Sequence, residues 1–348
     1  MAKEKKEIKL QTEDLIKQGL MVGAALIAEE EEIIIPVSPA LDLGIGGGIP
    51  PGSWVNLSGK QKTGKTVLSL HIAAKAQKEE YGSRPTFFFD VEHRLKKMHL
   101  NGIAGLKLAT GPDDFTGLQV IRSTKKNILG GEEILTSAVN VIKTHPNAIV
   151  ILDSTSALCS ASEQEGNISG MTRNLGPKLL ASFCRKMASV VPVQKTIIIL
   201  IQHLIANTSG YGSPFLEDGG NKIQYQSDVK LRCKGIKPWE EGKARIGQDV
   251  TWEVLWAANG PPGAKCISKL RYGIGIDEAA EMVDIGVDLG LIDKGGSWFT
   301  LDYLNNTTKD WAKKMVGTKV QGLEKLNKLM ASDEKLSEEL YAQIRYML

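Results

Sequence analysis

One stretch of eight residues has the residue types and spacing of a phosphate-binding loop: Gly59-Lys60-Gln61-Lys62-Thr63-Gly64-Lys65-Thr66. It fits the pattern G-x-x-x-x-G-K-[ST], in which backbone N–H groups surround an anion. The lysine can reach the β- and γ-phosphates of a nucleotide, and the threonine hydroxyl can ligate Mg²⁺. A strand-like run precedes the stretch and a helical pattern follows it. The alternative is a Gly/Lys-rich surface turn, and this strand–loop–helix context favours a nucleotide site over it.

Asp153 ends a second candidate segment, the apolar run AIVILD. In a P-loop protein, an acid at the end of an apolar strand holds Mg²⁺ directly or through water. The alternative is an ordinary helix N-cap, since Ser154 and Thr155 follow. Because the phosphate-binding loop is present, the sequence favours the metal role.

Polar side chains end two further apolar runs. Asp90 and Glu92 follow FFF with one residue between them. They share a face by strand period, so either could polarise a water molecule for attack on a γ-phosphate, or both could be solvated loop acids. Gln202 ends the run TIIILIQ. Its amide could contact a γ-phosphate, or a backbone hydrogen bond could satisfy it equally well.

The elements that would position these residues are apolar runs that alternate with helical patterns. The runs cover 53–57, 86–90, 148–153 and 196–202, and the helical patterns cover 66–81, 132–143 and 175–191. Strands that are apolar throughout are buried on both faces, so the pattern predicts an α/β fold with a mostly parallel twisted sheet and helices on both faces. Ligands bind such sheets at the carboxyl ends of the strands. An antiparallel extension is predicted by three further runs, at 228–233, 251–256 and 266–272.

The chain divides into three predicted regions. Residues 1–38 form a head whose one helix and short strand cannot bury their apolar face, so it should dock on its own chain or on a neighbouring copy. Residues 39–275 would form the α/β core that carries the phosphate-binding loop. Residues 276–348 form a small α-rich C-terminal domain, with helices expected at 277–289, 309–315, 320–330 and 333–347.

Two loops and several basic side chains are candidates for binding nucleic acid. The loop at 210–221, called the second loop below, is glycine-rich, and its aromatic residues Tyr211 and Phe215 could stack on exposed bases. The first loop, at 160–173, ends in Arg173, and Lys178 and Arg185 follow two turns apart on the next helical pattern. Another basic cluster comprises Lys230, Arg232, Lys234 and Lys237. Charged runs are more often solvated faces, but three basic elements beside two loops suggest a nucleic-acid-binding surface more than any one of them alone.

Composition narrows the class of protein. The 348 residues are 42% hydrophobic and 24% charged, which is ordinary for a globular protein, and the net charge of +3 does not decide on a nucleic-acid partner. Four separated cysteines without a C-x-x-C pair predict reduced thiols that hold neither a disulfide nor a metal. No run approaches the roughly 18 apolar residues of a membrane span. The mixed-charge start is not a secretory signal, so a cytoplasmic protein is expected.

These segments, in this order, resemble the RecA family of recombinases, and especially the phage-encoded UvsX-type members. The likeness runs from about residue 40 to 300 through ALDLGIGGGIPPGSWVNLSGKQKTGKT, FFFDVEHRL, ILDSTSAL, EGNIS, ILIQHL, GGNKIQY and EMVDIGVDLGLIDKGGSWF. The resemblance implies a RecA-type core that binds ATP and Mg²⁺. It implies that Glu92 is the water-activating base, that Asp153 and Thr66 hold the metal, and that Gln202 senses the γ-phosphate.

The resemblance also assigns the remaining candidate residues. Nucleotide contacts fall on Gly59, Lys60, Gln61, Lys62, Thr63, Gly64, Lys65, Thr66, Val67 and His99. The two DNA-binding loops and their flanks fall on Arg173, Lys178, Arg185, Tyr211, Gly219, Gly220, Asn221 and Lys234.

The implied function is ATP-dependent DNA strand exchange by a filament on single-stranded DNA, with DNA-stimulated ATP hydrolysis. Its partners would be single- and double-stranded DNA, further copies of the chain docked through the head, and single-strand-binding and loader proteins. A bacterial cell or a phage-infected host is the expected setting. Two alternatives share the same motifs: a ring-forming RecA-fold motor such as a helicase, and a DNA-binding mediator that does not hydrolyse ATP.

The chain departs from the family pattern in four places. The stretch 256–260 lacks the lysine pair that reaches a neighbour's ATP site, for which Lys265, Lys269 or Arg271 could substitute. Lys96 and His99 stand where the family has its adenine-contacting aspartate and tyrosine. The start of the second loop, 204–206, has no basic residue, and the C-terminal tail has mixed charge instead of an acidic character.

Overall fold

The computed structural model describes residues 32–165, 175–207, 214–218 and 220–347. Most of the predicted head, and the candidate DNA contacts Arg173, Tyr211 and Gly219, lie outside these residues. The described chain from Ile34 onward forms one compact unit.

A mixed sheet organises the described residues. Its strands are β1 (Trp54–Gly59), β2 (Thr86–Asp90), β3 (Leu118–Ile121), β4 (Ile149–Asp153), β5 (Ile197–Ala206), β6 (Phe215–Glu217), β7 (Val229–Glu241), β8 (Ala244–Trp256), β9 (Lys265–Arg271) and β10 (Gly275–Ile276). Their order is β10-β9-β8-β7-β1-β5-β4-β2-β3, with β6 paired to β5. Strands β7, β1, β5, β4, β2 and β3 run parallel, and β8, β9 and β10 extend the sheet in antiparallel fashion. The predicted fold class is confirmed.

Helices cover both faces of this sheet. They are α1 (Pro39–Ile45), α2 (Lys65–Ala76), α3 (Lys97–Asn101), α4 (Gly131–Thr144), α5 (Ala161–Glu165), α6 (Leu175–Met187), α7 (Val190–Val193) and α8 (Asn221–Gln226). Alternate residues of each central strand enter opposite cores. Ile199 and Ile201 of β5 pack in the core that includes Leu68 and Ile72 of α2, and Ile198 and Leu200 pack in the core formed with α4 and α6.

The C-terminal region has its own core. It contains α9 (Glu278–Asp288), α10 (Asp310–Lys313), α11 (Leu323–Ser332) and α12 (Glu334–Tyr346), packed around buried residues such as Phe299 and Tyr303. It also contains a small antiparallel sheet of β11 (Asp293–Gly295), β12 (Trp298–Thr300) and β13 (Lys319–Gln321). The helix expected from residue 320 was therefore wrong at its start, because Val320 pairs with Phe299 in this sheet. Strands of three residues are too short to show a periodic pattern.

The antiparallel extension is longer than expected. Strands β7 and β8 form a hairpin over 229–241 and 244–256, well beyond the predicted runs at 228–233 and 251–256. The added residues include Gly235 and Pro238, which oppose strand assignment from sequence. Register shifts near Gly235 accommodate them within the ladder.

Candidate nucleotide site

The phosphate-binding loop joins the end of β1 to the start of α2. Gly64 has a φ of 88°, a left-handed conformation that favours glycine and turns the chain into the helix. The Lys65 ammonium is held across the loop, where it donates to the carbonyl oxygens of Gly59 at 2.9 Å and Lys60 at 2.7 Å. Burial lowers the pKa of Lys65, and the nearby carboxylate of Asp153 acts against this shift. The loop therefore presents a fixed positive charge and the amino end of a helix to the same point.

Asp153 lies beside the loop at the end of β4. The Thr66 hydroxyl donates to its Oδ2 at 2.6 Å. Burial raises the pKa of Asp153, the Thr66 hydrogen bond opposes this rise, and the charge of Glu92 adds to it. A hydroxyl and a carboxylate at this distance are the hard oxygen ligands that suit Mg²⁺. In the described part of the chain no group of three His, Cys, Asp or Glu residues could hold a metal alone, and a Mg²⁺ shared with substrate phosphates needs only one or two carboxylates.

Glu92 has a donor or a cation on each carboxylate oxygen. Its Oε1 accepts from the Ser154 hydroxyl and lies 2.7 Å from Nε2 of His203, and its Oε2 lies 3.0 Å from Nε of Arg94. Burial by itself would raise the pKa of Glu92, but the Ser154 and His203 hydrogen bonds and the Arg94 charge outweigh it, so the pKa lies below its usual value. Glu92 is thus ionised near neutral pH and can accept a proton.

Asp90 has a different role from Glu92, although sequence period alone could not separate them. Its carboxylate is 3% exposed and accepts from the backbone N–H groups of Arg94 and Leu95, and Arg122 lies 3.5 Å away. Asp90 therefore holds the chain that follows β2 in place. Glu92, by contrast, lines the cavity beside the loop.

The cavity at the loop has a volume of about 710 Å³, within the range of small-molecule sites. The cavity is lined by residues 61–67 and by Glu92, Arg94, Lys96, Met98, His99, Asp153, His203, Gln248, Leu270 and Tyr272. Gly59 and Lys60 contribute carbonyl groups but are not among the lining residues. The Lys60 ammonium instead lies 4.4 Å from the centre of the Phe215 ring.

Gln202 does not reach this cavity, contrary to its expected contact with the γ-phosphate. Its fully buried amide accepts from Asn56 Nδ2 at 2.6 Å and donates to the Asp218 carbonyl at 2.7 Å. The reason is the alternation of side chains along β5, which directs Gln202 toward the face opposite α2 and the next residue, His203, toward the loop. The sequence analysis missed His203, although a titratable residue directly after the strand-end glutamine was a usable signal.

A buried ion cluster links the exit of the second loop to the strand that carries the phosphate-binding loop. The Glu217 carboxylate is 1% exposed and bonds to Lys230 Nζ, to Ser58 Oγ at 2.9 Å and to an Arg232 guanidinium nitrogen at 2.7 Å. These contacts outweigh the effect of burial and hold the pKa of Glu217 below its usual value. The proposed basic cluster at 230–237 is therefore partly wrong as a DNA surface, because Lys230 is buried and both it and Arg232 pair with Glu217.

The other described DNA candidates lie on the surface. Lys178 and Arg185 are exposed on α6, and exposed Lys234 pairs with Glu253 at 3.1 Å. A Cβ placed on Gly220 would lie 3.4 Å from the Cβ of Pro177, so the exit of the second loop packs beside the start of α6. Asn221 begins the short helix α8.

The P-loop between a parallel strand and a helix, with Asp153 and Glu92 at the carboxyl ends of neighbouring elements, defines a P-loop ATPase. Comparison with known proteins narrows this class. The family model of the RecA N-terminal domain matches residues 12–277. Protein RecA of Campylobacter hominis is 30% identical over 322 residues, which cover 91% of this chain and 84% of the relative. Protein RecA of a Nitratiruptor species is 30% identical over 277 residues, which cover 78% of this chain and 75% of the relative. Protein RecA of Nitratidesulfovibrio vulgaris is 28% identical over 338 residues, which cover 94% of this chain and 85% of the relative.

The chain belongs to the RecA family. It is a DNA-dependent ATPase that acts in DNA recombination and repair by strand exchange. In the part of the chain that is described, no helix has the length and apolar character needed to cross a membrane.

Proposed function

We propose that this chain is a strand-exchange protein of the phage-encoded UvsX type, which forms a helical filament on single-stranded DNA and hydrolyses ATP with Mg²⁺ in its core. Identity of 28–30% to bacterial RecA proteins, together with the missing lysine pair at 256–260, supports a place outside the RecA proteins proper. Residues 39–275 would carry hydrolysis and DNA binding, 1–38 would dock on the next subunit, and 276–348 would form the accessory domain.

The phosphate end of the cavity supports the chemistry. Backbone N–H groups of residues 61–67 would surround the phosphates, and the Lys65 ammonium would exchange its two carbonyl partners for phosphate oxygens. Thr66 and Asp153 would hold Mg²⁺, which supplies charge neutralisation at the β- and γ-phosphates when bound. Glu92 would take the proton from the attacking water. His99 would contact the adenine of the nucleotide.

The observation that carries the proposal is the position of His203 in β5. Its imidazole contacts Glu92, while its main chain leads within a few residues into the glycine-rich second loop. DNA bound by that loop would thereby act on the base that activates water. Lys178, Arg185 and Lys234, together with Arg173, Tyr211 and residues 219–221, would hold the DNA by backbone charge and stacking, without reading base edges. Cytoplasmic single-strand-binding and loader proteins would be its partners.

Two measurements test this proposal. ATP turnover with and without single-stranded DNA should show strong stimulation, and electron microscopy with ATP and single-stranded DNA should show helical filaments. Closed rings would favour the motor alternative. Absence of turnover with DNA present would favour the non-hydrolysing mediator.

A further inference from the structure

Arg94 lines the nucleotide cavity, and only Nε of its guanidinium pairs with another described residue. It follows β2 two residues after Glu92, and its Nε lies 3.0 Å from Glu92 Oε2. Its side chain is 66% exposed. Among the described residues, neither terminal NH₂ group has a hydrogen-bond partner. Within the described structure, the guanidinium therefore has two donor groups open to solvent beside Glu92.

The charged residues that line the cavity indicate which ligand these donors could bind. Lys62, Lys65 and Lys96 also line it; Lys65 is the buried loop lysine, and the Lys96 backbone N–H donates to the His99 ring. The carboxylates of Glu92 and Asp153 line the same cavity. Phosphoryl transfer spreads negative charge over the equatorial oxygens of the γ-phosphate, and a planar guanidinium suits these oxygens better than an ammonium does. Arg94 is the one arginine among the described residues of this wall.

Two of the three basic residues that could serve a neighbouring ATP site are paired with carboxylates. Lys269 pairs with Asp284 at 2.6 Å and with Asp249 at 3.2 Å. Arg271 pairs with Asp277 at 3.3 Å. The stretch 256–260 carries no basic side chain. Of the three candidates, exposed Lys265 alone has no ion pair within the described residues. The site therefore draws most of its positive charge from its own chain.

We propose that Arg94 is a catalytic residue that binds the γ-phosphate of ATP in its own subunit and stabilises the charge on the phosphoryl group in transfer. This inference rests on the proposed ATPase function of the same cavity. Without the γ-phosphate the guanidinium rests on Glu92. With ATP bound it turns to the phosphate and releases Oε2, so that Glu92 accepts the proton of the attacking water as the bond from the γ-phosphorus to the ADP oxygen breaks.

The test compares equilibrium binding of ATPγS and ADP, which differ in the γ group alone. Arg94→Ala should weaken ATPγS binding about tenfold to a hundredfold, the value of a charge-assisted contact, and leave ADP binding within about twofold. Arg94→Lys should fall between, because it keeps the charge and loses the fork. Turnover with single-stranded DNA should fall about a hundredfold or more in Arg94→Ala.

Arg122→Ala is the matched control. Arg122 pairs with Asp90, whose carboxylate accepts from the Arg94 backbone N–H, but Arg122 does not line the cavity. It should leave the ATPγS-to-ADP preference unchanged. The same binding measurements in a Glu92→Gln background separate phosphate contact from an effect through Glu92. Loss of ATPγS preference in Arg94→Ala should persist in that background.

Two results would overturn the role of Arg94 alone: an unchanged ATPγS-to-ADP preference in Arg94→Ala, or a loss that disappears in the Glu92→Gln background. Failure of the unaltered protein to bind either nucleotide would overturn the proposed function and this inference together.

Discussion

Nε2 of His203 lies 2.7 Å from Oε1 of Glu92, although 111 residues separate the two in the chain. The contact joins the end of β5, which leads into the second loop, to the carboxylate that faces the phosphate-binding loop. Under the proposed function, the contact would connect DNA binding by the second loop to ATP hydrolysis.

Replacing His203 by alanine should raise the pKa of Glu92, because one of the contacts that hold it down is lost. A base must be ionised to act, so activity is lost as pH falls through this pKa. We expect the acid limb of the pH profile of turnover to move to higher pH, and DNA-stimulated turnover to fall about tenfold or more. His145→Ala, at a half-buried histidine that packs on Phe115 and does not line the cavity, is the control. An unmoved acid limb would contradict the role of the contact.

Glu92→Gln should retain nucleotide binding and lose turnover by about a hundredfold to ten-thousandfold, the range for removal of a general base. Binding is measured with ATPγS and turnover by phosphate release. Asp90→Asn is the informative comparison, because Asp90 holds the following segment through backbone N–H groups. If Glu92→Gln still hydrolyses ATP and Asp90→Asn does not, the base is Asp90.

Lys65→Ala should abolish nucleotide binding or turnover, since it removes the cation fixed across the loop. The increase in thermal stability that ATPγS gives the unaltered protein should disappear. Lys60→Ala provides a comparison, because the Lys60 side chain contacts Phe215 and should affect binding far less. Full DNA-stimulated turnover in Lys65→Ala would refute the assignment of the loop.

Glu217→Gln should lower the free energy of unfolding by about 3 kcal/mol, because it leaves buried Lys230 without its charge partner. The folded-state pKa of Glu217 lies below its usual value, so its contribution is present above the unfolded pKa of about 4.3 and is lost as pH falls through the folded value. Denaturant titrations at pH 7 and at low pH measure the difference. Glu253→Gln, at the exposed Lys234 pair, should cost under about 1 kcal/mol.

Lys178 and Arg185 should contribute phosphate contacts on α6. Each alanine substitution should weaken single-stranded DNA binding without changing sequence preference, and should reduce the slope of log affinity against log salt by about 0.7. Lys313→Ala, in the C-terminal domain and paired with Asp310, is the control. An unchanged slope in Lys178→Ala and Arg185→Ala would place the DNA elsewhere.

The sequence by itself determined the loop at 59–66, Asp153 at a strand end and the mostly parallel sheet. Each of these features can be recognised from local spacing or from a single apolar run, without knowing how the rest of the chain folds. It also narrowed the strand-end acids to Asp90 and Glu92. It missed the sheet at 293–321, whose strands are too short to show a period.

Tertiary structure decided which of these side chains meet. The register of β5 against β1 fixes which side of the sheet each residue of β5 faces. As a result, the side chain of Gln202 lies in the core and that of His203 contacts Glu92. Lys230 and Arg232 look like a basic surface in sequence, yet Glu217 from the exit of the second loop pairs with both. Partners that lie far apart in the chain are brought together by packing alone, so neither local composition nor periodicity can reveal them.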